Sequence, residues 1–358
     1  AGAVWSDGTP ITADDLRRTA DSRFVAALEG PAADGRVTVG FTGPLPGWRR
    51  LWSHTDAVGA PAAGVWGGPF VVQSYTPGLE LALGRNESWW GRPAPHLDEL
   101  RLVLVPDDVT ARQLLERGEL DVLMPLAATV RTPQLQALAG VAVAAAETGG
   151  WWVGLRLNPG ELSGSQRRAL LGTLDRAEFV GTLLRGEARL LDGLGPGADA
   201  TWAGVAAGSG DARGLPAVVD LVGTWEEPMT RLLQRSMQRR AATAGSGRLE
   251  LRNAEADRVE GWVAAGEYGA AIVVVADPPS PCWSCRWAGV AGDLARQADT
   301  DDPAAVAALQ AKLRDDRLVV PLWRPVTVVA WRGGLNGPAA NGYALNAAWN
   351  AWDWWRPR

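Results

Sequence analysis

Cysteine, histidine and lysine are nearly absent from this 358-residue chain, and each absence removes a class of chemistry. The only cysteines are Cys282 and Cys285 and the only histidines His54 and His96, so a tetrahedral His/Cys zinc site lacks its ligands. Neither histidine stands in a motif such as G-x-S-x-G or H-E-x-x-H that would make it a catalytic base or a metal ligand. The Gly-rich stretches 193–197 and 333–334 lack the strand–GxxxxGK–helix context of a phosphate cradle. The sequence therefore predicts no catalytic residue, no metal site and no cofactor. No apolar run approaches the ~20 residues of a membrane span. A formal net charge of −5 leaves no electrostatic footprint for nucleic acid, so no nucleic-acid partner is expected.

What is present is ordinary for a globular chain: 47% hydrophobic and 21% charged residues, and length for about two domains of ~150 residues. The unusual feature is 19 Trp against 3 Tyr and 4 Phe, a composition suited to large amphipathic contact surfaces.

Periodicity predicts a helix from Thr12 to Leu28, a strand from Arg36 to Phe41, and a hairpin of Pro69–Tyr75 and Leu79–Gly84 around Thr76-Pro77-Gly78. A strand Glu99–Val105, a helix Asp107–Gly118 and a strand Asp121–Met124 read as a βαβ unit. After a boundary near 147–150 come a strand Trp151–Leu157, a helix 163–185 and a further alternation of strands and helices. A helix Pro303–Asp316 and two closing strands, Val319–Trp323 and Val326–Trp331, complete the chain.

Several of these landmarks resemble the family 5 extracellular solute-binding proteins, the peptide-binding receptors of ABC importers. Trp5-Ser6-Asp7-Gly8-Thr9-Pro10-Ile11-Thr12-Ala13-Asp14-Asp15 is similar to the family's W-x-D-G-x-P-x-T-A-x-D signature. Gly68-Pro69-Phe70 and Arg85-Asn86-Glu87-Ser88-Trp89-Trp90 resemble its G-P-[FY] strand and R-N turn. Gly118-Glu119-Leu120-Asp121, the helix with Arg167-Arg168-Ala169 and Asp175-Arg176, and Val320-Pro321-Leu322-Trp323 match further elements in order. The resemblance implies an α/β, two-lobed periplasmic-binding-protein-like fold (class II, cluster C type) with a hinge and an interlobe ligand cleft. Residues 1–66 are expected as a reduced second domain, 67–149 plus 326–358 as the first lobe, and 150–325 as the second. Family members carry a secretory or lipoprotein signal and first-domain strand ahead of the signature, so a preceding segment is expected here. The almost Lys-free, Ala/Arg/Gly-rich composition resembles that of a high-GC actinobacterium.

The implied function is capture of a peptide or other small molecule outside the cytoplasm, by a monomer without enzymatic turnover, for delivery to an ABC permease. Membrane contact would run only through a lipid anchor not present in this chain. The resemblance assigns ligand contacts to Val275, Ala276 and Asp277, with Asp277 holding the ligand's amine; a second reading has Asp277 merely shaping a Pro-rich turn. Trp151, Trp283 and Trp287 are candidate cleft walls, with core packing as the alternative. A redox role for Cys282-x-x-Cys285 is disfavoured because its Pro-rich context does not clearly open a helix; in the exported protein that the resemblance implies, the pair is read as a short structural disulfide. A different-class alternative is a cell-envelope lipoprotein of the same fold, of a mycobacterial type that acts in glycolipid assembly.

Overall fold

The signature folds on itself before it meets the rest of the chain. In the computed structural model, Asp7 accepts from the Thr9 backbone N–H at 2.9 Å and from its hydroxyl at 2.6 Å, and Gly8, at φ +83°, closes the turn back to Trp5. Asp15 opens the first helix, α1 (Ala13–Thr19), and takes the Thr12 backbone N–H at 2.7 Å, the Thr12 hydroxyl at 3.1 Å and the Trp5 indole N–H at 3.3 Å, beside Arg18. Gly67 packs so closely on the Trp5 ring that a Cβ there would lie 2.9 Å from Cζ3. Asn86 donates to the Gly68 carbonyl at 2.7 Å and receives the Ser88 N–H at 3.0 Å, while Ser6 bonds the Trp66 backbone in both directions. Three separate stretches of sequence thus meet around one buried tryptophan, 3% exposed.

Burial alone would push the Asp15 carboxyl upward, but its donors outweigh that and hold its pKa below the ordinary 3.8. A depressed folded-state pKa stabilises the fold above the ordinary value, and the contribution is lost as pH falls through the lower folded-state value. Asp15→Asn is expected to cost about 1–3 kcal/mol at pH 7, with the gap to the unaltered chain closing as the pH falls below the ordinary 3.8 and through the lower folded-state value. Urea unfolding as a function of pH from 7 downward checks this, and a gap that stays constant would remove the electrostatic explanation.

The structure describes residues 2–19, 25–30, 36–43, 62–124, 132–147, 151–184, 187–194, 202, 212–225, 228–245, 247–276, 283–299, 302–342 and 348–357. The chain divides into two compact units. Unit 1 holds residues 1–124, 133–144 and 328–358, and unit 2 the remainder, so residues 1–66 fall in one unit with 67–124.

In unit 1 the predicted helix to Leu28 stops early: Val25–Glu29 is strand β1, paired antiparallel with β2 (Thr38–Phe41). Leu28 is 5% exposed and faces Val39 in the register, and this cross-strand pairing overrides a weak helical preference. The hairpin forms as read, with β3 (Phe70–Thr76), β4 (Glu80–Arg85) and β5 (Glu99–Val103) making an antiparallel sheet in that order. Asp107 caps α2 (Asp108–Arg117) by accepting the Thr110 N–H at 2.9 Å, and Gly118 ends it. The expected βαβ unit is not there: β6 (Val122–Leu123) pairs with β13 (Val319–Arg332), in a different sheet from β5. The helix α3 (Thr132–Gln136) and strand β7 (Val141–Glu147) follow.

Unit 2 is built on parallel strands β10 (Val218–Thr224), β11 (Arg248–Ala254) and β12 (Ala270–Ala276), ordered β11-β10-β12. Next to β12 lies antiparallel β8 (Trp151–Leu157), then β13, whose middle pairs with β9 (Ala188–Leu190). The single helix expected over 163–185 divides at 172–175 into α4 (Gly164–Leu171), capped by Ser163 and Gln166, and α5 (Arg176–Glu178), which continues as a wider turn to Leu184. The two closing strands are one: β13 runs through Pro321 and Pro325 without a break.

Both faces of this sheet are covered. Ala270 and Ile272 of β12 join one cluster with Val153, Leu155 and Leu157 of β8 and with Leu233 and Met237 of α6 (Pro228–Thr243). Ala271 and Val275 point to the other face, the first toward α7 (Ala256–Ala265) and the second toward α8 (Trp283–Ala291), α9 (Asp293–Ala298) and α10 (Pro303–Asp315). Burial on both sides explains why β12 is an unbroken apolar run.

Candidate ligand-binding site

Parallel strands end at one edge of a sheet, and in open α/β sheets ligands sit at that carboxyl edge. In unit 2 this edge carries the ends of β10, β11 and β12 and the first residue of β8. Register places Ala276 opposite Trp151 and Val275 opposite Trp152, so three of the residues singled out in the sequence are neighbours. Trp151 and Trp152 point to opposite faces, as a strand requires. Trp151 is half-buried against the cluster of Val153 and Leu155, whereas Trp152, 1% exposed, is core. Val274 shares the Trp151 face and is 45% exposed.

Val275 and Trp287 instead sit in the buried cluster on the opposite face, 7% and 3% exposed, with Trp283 packed at its margin. The indole N–H groups of Trp152 and Trp283 are buried and find no acceptor. Asp277 and Cys282 lie outside the described residues, and for Ala276 and Cys285 only the backbone is described. The backbone does correct one expectation: α8 begins at Trp283, so the C-x-x-C segment runs directly into a helix.

One residue at this edge was missed. Trp225 follows the last residue of β10, is 50% exposed, and is fixed by its N–H to the Ala254 carbonyl at 3.2 Å. A large apolar side chain directly after an alternating strand, at its carboxyl end, was the signal available for it. Trp225 and Val274, with the half-buried Trp151, give the edge an accessible apolar rim. Such an arrangement suits an extended ligand with main-chain hydrogen-bonding groups and apolar side chains. Among the described residues, no group of His, Cys, Asp and Glu could hold a metal ion.

This architecture is that of the periplasmic binding proteins. A periplasmic EDTA-binding protein, EppA, superposes with a TM-score of 0.79 at 18% identity, covering 99% of this chain and 83% of EppA. The oligopeptide-binding protein AppA of Bacillus subtilis, solved with a nonapeptide, gives a TM-score of 0.70 at 14% identity, covering 100% of this chain and 86% of AppA. At such identities the likeness establishes the fold. The sequence itself goes further: residues 1–211 match the sequence model of the bacterial extracellular solute-binding proteins, family 5 Middle, and the chain belongs to that family. The oligopeptide-binding protein OppA of Mycobacterium tuberculosis (strain H37Rv) is 30% identical over a stretch covering 33% of this chain and 25% of OppA. The match therefore spans a quarter of that relative's length.

Proposed function

We propose that this chain is an extracytoplasmic solute-binding protein that captures a peptide-like ligand and hands it to an ABC importer. The observation that carries the reading is membership of the family 5 solute-binding proteins. The apolar rim of Trp225, Val274 and Trp151 at the carboxyl edge of the sheet supports a peptide as the ligand class. In this reading Asp277, the residue that follows β12 in the sequence, holds the peptide's terminal ammonium group, and Val275 and Ala276 contribute ligand contacts beside it. Trp283 and Trp287 act from beneath, through the packing of α8. A membrane permease receives the ligand, and the protein works as a monomer, anchored to the outer face of the membrane by lipid outside this sequence. The relatives named favour transport over the envelope-lipoprotein alternative.

The test is calorimetric titration with short peptides and their N-acetylated forms, preceded by native mass spectrometry to identify anything that co-purifies. Unmodified peptides should bind, and either acetylation or Asp277→Asn should weaken binding tenfold to a hundredfold, as loss of a charge-assisted hydrogen bond implies. Acetylation should then have no further effect on Asp277→Asn. Absence of co-purified ligand, of heat and of thermal shift with a mixed peptide library would reject the reading.

A further inference from the structure

A groove of about 780 Å3 runs between α7 and α8 within unit 2, along the sheet face of Arg156 and Val273 and reaching Val274 at one end. Val273 of β12 and Arg156 of β8 form its floor, Val259 and Val263 of α7 one wall and Trp287 of α8 the other. Its size falls within the ~300–1,000 Å3 typical of small-molecule sites. The groove shares Val274 with the rim described above but extends away from it to Asn158, Gly266 and Tyr268, with neither Trp151 nor Trp225 in its lining.

Arg156 is the feature that gives the groove a chemical preference. Its side chain is half-buried in mid-strand, one Nη donates to the Arg286 carbonyl at 3.1 Å, and the guanidinium lies 5.6 Å from the centre of the Trp287 ring. The Tyr268 hydroxyl is a further neighbour. No described carboxylate pairs with Arg156, and its Nε–H is buried without an acceptor. Other charged groups lining the groove are Glu260, on the exposed side of α7, and Arg286, which has contacts of its own. Charges withdrawn from water are ordinarily paired, because the desolvation cost is otherwise uncompensated. Here a hydrogen bond and an aromatic face hold the cation, and no carboxylate among the described residues supplies a counter-charge.

We infer that this groove is a second ligand site, which takes a small amphiphilic monocarboxylate. The carboxylate supplies the counter-ion to Arg156 and accepts from its guanidinium, whose planar geometry favours carboxylates. The apolar body lies along Val259, Val263 and Val273 with Trp287 at its side.

The probe is 2-naphthoate, compared by calorimetry with the uncharged 2-naphthylmethanol on the full chain. The acid should bind at least tenfold more tightly than the alcohol. Arg156→Gln should reduce acid binding at least tenfold and leave the alcohol unchanged, and Val263→Trp, which adds bulk to the wall of the groove, should abolish binding of both. Prior saturation with any peptide that binds the chain should leave naphthoate affinity unaltered. Equal affinity for acid and alcohol, full naphthoate binding by Val263→Trp, or displacement by peptide would each overturn the inference. If Arg156→Gln fails to fold, the acid-over-alcohol preference of the unaltered chain decides alone.

Discussion

Trp323→Ala is expected to remove about 3–5 kcal/mol of stability, the upper range for truncating a single core side chain. Trp323 is 1% exposed and packs in the larger core cluster, with its ring centre 5.2 Å from that of Phe179. Around it converge β8, β9 and the wide turn that ends at Leu184, because Trp323 pairs with Val153 on one side and Leu190 on the other. The register against β8 shifts between Pro321 and Trp323. Chemical denaturation followed by far-ultraviolet circular dichroism measures the loss, expected as a fall in midpoint temperature on the order of 10 °C in a companion thermal scan. Trp355→Ala is the control: that side chain is 45% exposed, and its removal should cost less than about 1 kcal/mol. Similar losses for the two would mean that the core cluster is not what stabilises unit 2.

The second large effect is expected in unit 1, from the smallest possible change. Gly337 has φ +101°, and a Cβ there would overlap the Asp353 carbonyl group and lie 2.9 Å from its carbon. Gly337→Ala combines backbone strain with a clash against main chain that cannot rotate away, a cost of about 2–4 kcal/mol. The segment that must move is docked by the Asn350 side chain, donating to the Gly337 carbonyl at 2.8 Å, and by paired backbone bonds between Asn336 and Trp355. Its displacement would expose Trp354, now 3% accessible. Gly334→Ala separates the two contributions, since Gly334 shares the positive angle, φ +90°, but a methyl group there would meet no atom within 4 Å. It should cost only about 1 kcal/mol. Hydrogen exchange over residues 348–357 should accelerate in Gly337→Ala and not in Gly334→Ala; equal behaviour would assign the effect to the backbone angle alone.

The parts of the fold that could be read in advance are those whose causes are local. Asp107 and Gly118 delimit α2, and Pro77-Gly78 turns the β3–β4 hairpin, because caps and turns depend on a few adjacent residues. The signature was legible as a resemblance, and the structure supplies its reason: Trp5, Thr12 and Asp15 form one hydrogen-bonded group. Elements decided by distant partners were misread. Val25–Glu29 is strand because β2 is beside it, and β6 leaves β5 for a strand some 200 residues later. Pro325 suggested an interruption in β13, yet prolines are tolerated where a strand changes neighbour. Pro321 stands at the register shift against β8, and Pro325 at the last pair with β9. For the site, Trp151, Val275 and Ala276 were read separately as candidate ligand contacts, and it is strand pairing that sets Trp151 opposite Ala276 and Trp152 opposite Val275. Which of their faces is accessible was not readable, since that depends on how α8 to α10 cover one side of the sheet. Trp225 escaped notice for the same reason: exposure of a side chain is a property of the assembled layers.

The division of the chain between its units also governs the order in which they can be completed at the ribosome. Unit 1 takes its last portion from residues 328–358, and Leu123 of β6 finds its partner in Ala330. A nascent chain that has already exposed β6 must therefore wait for nearly the whole of unit 2 to be synthesised before that pairing is available. During this interval an unpaired strand edge is open to other chains. Premature termination near the end of the message would damage the unit made first, and co-translational protection by a chaperone would be of most use there.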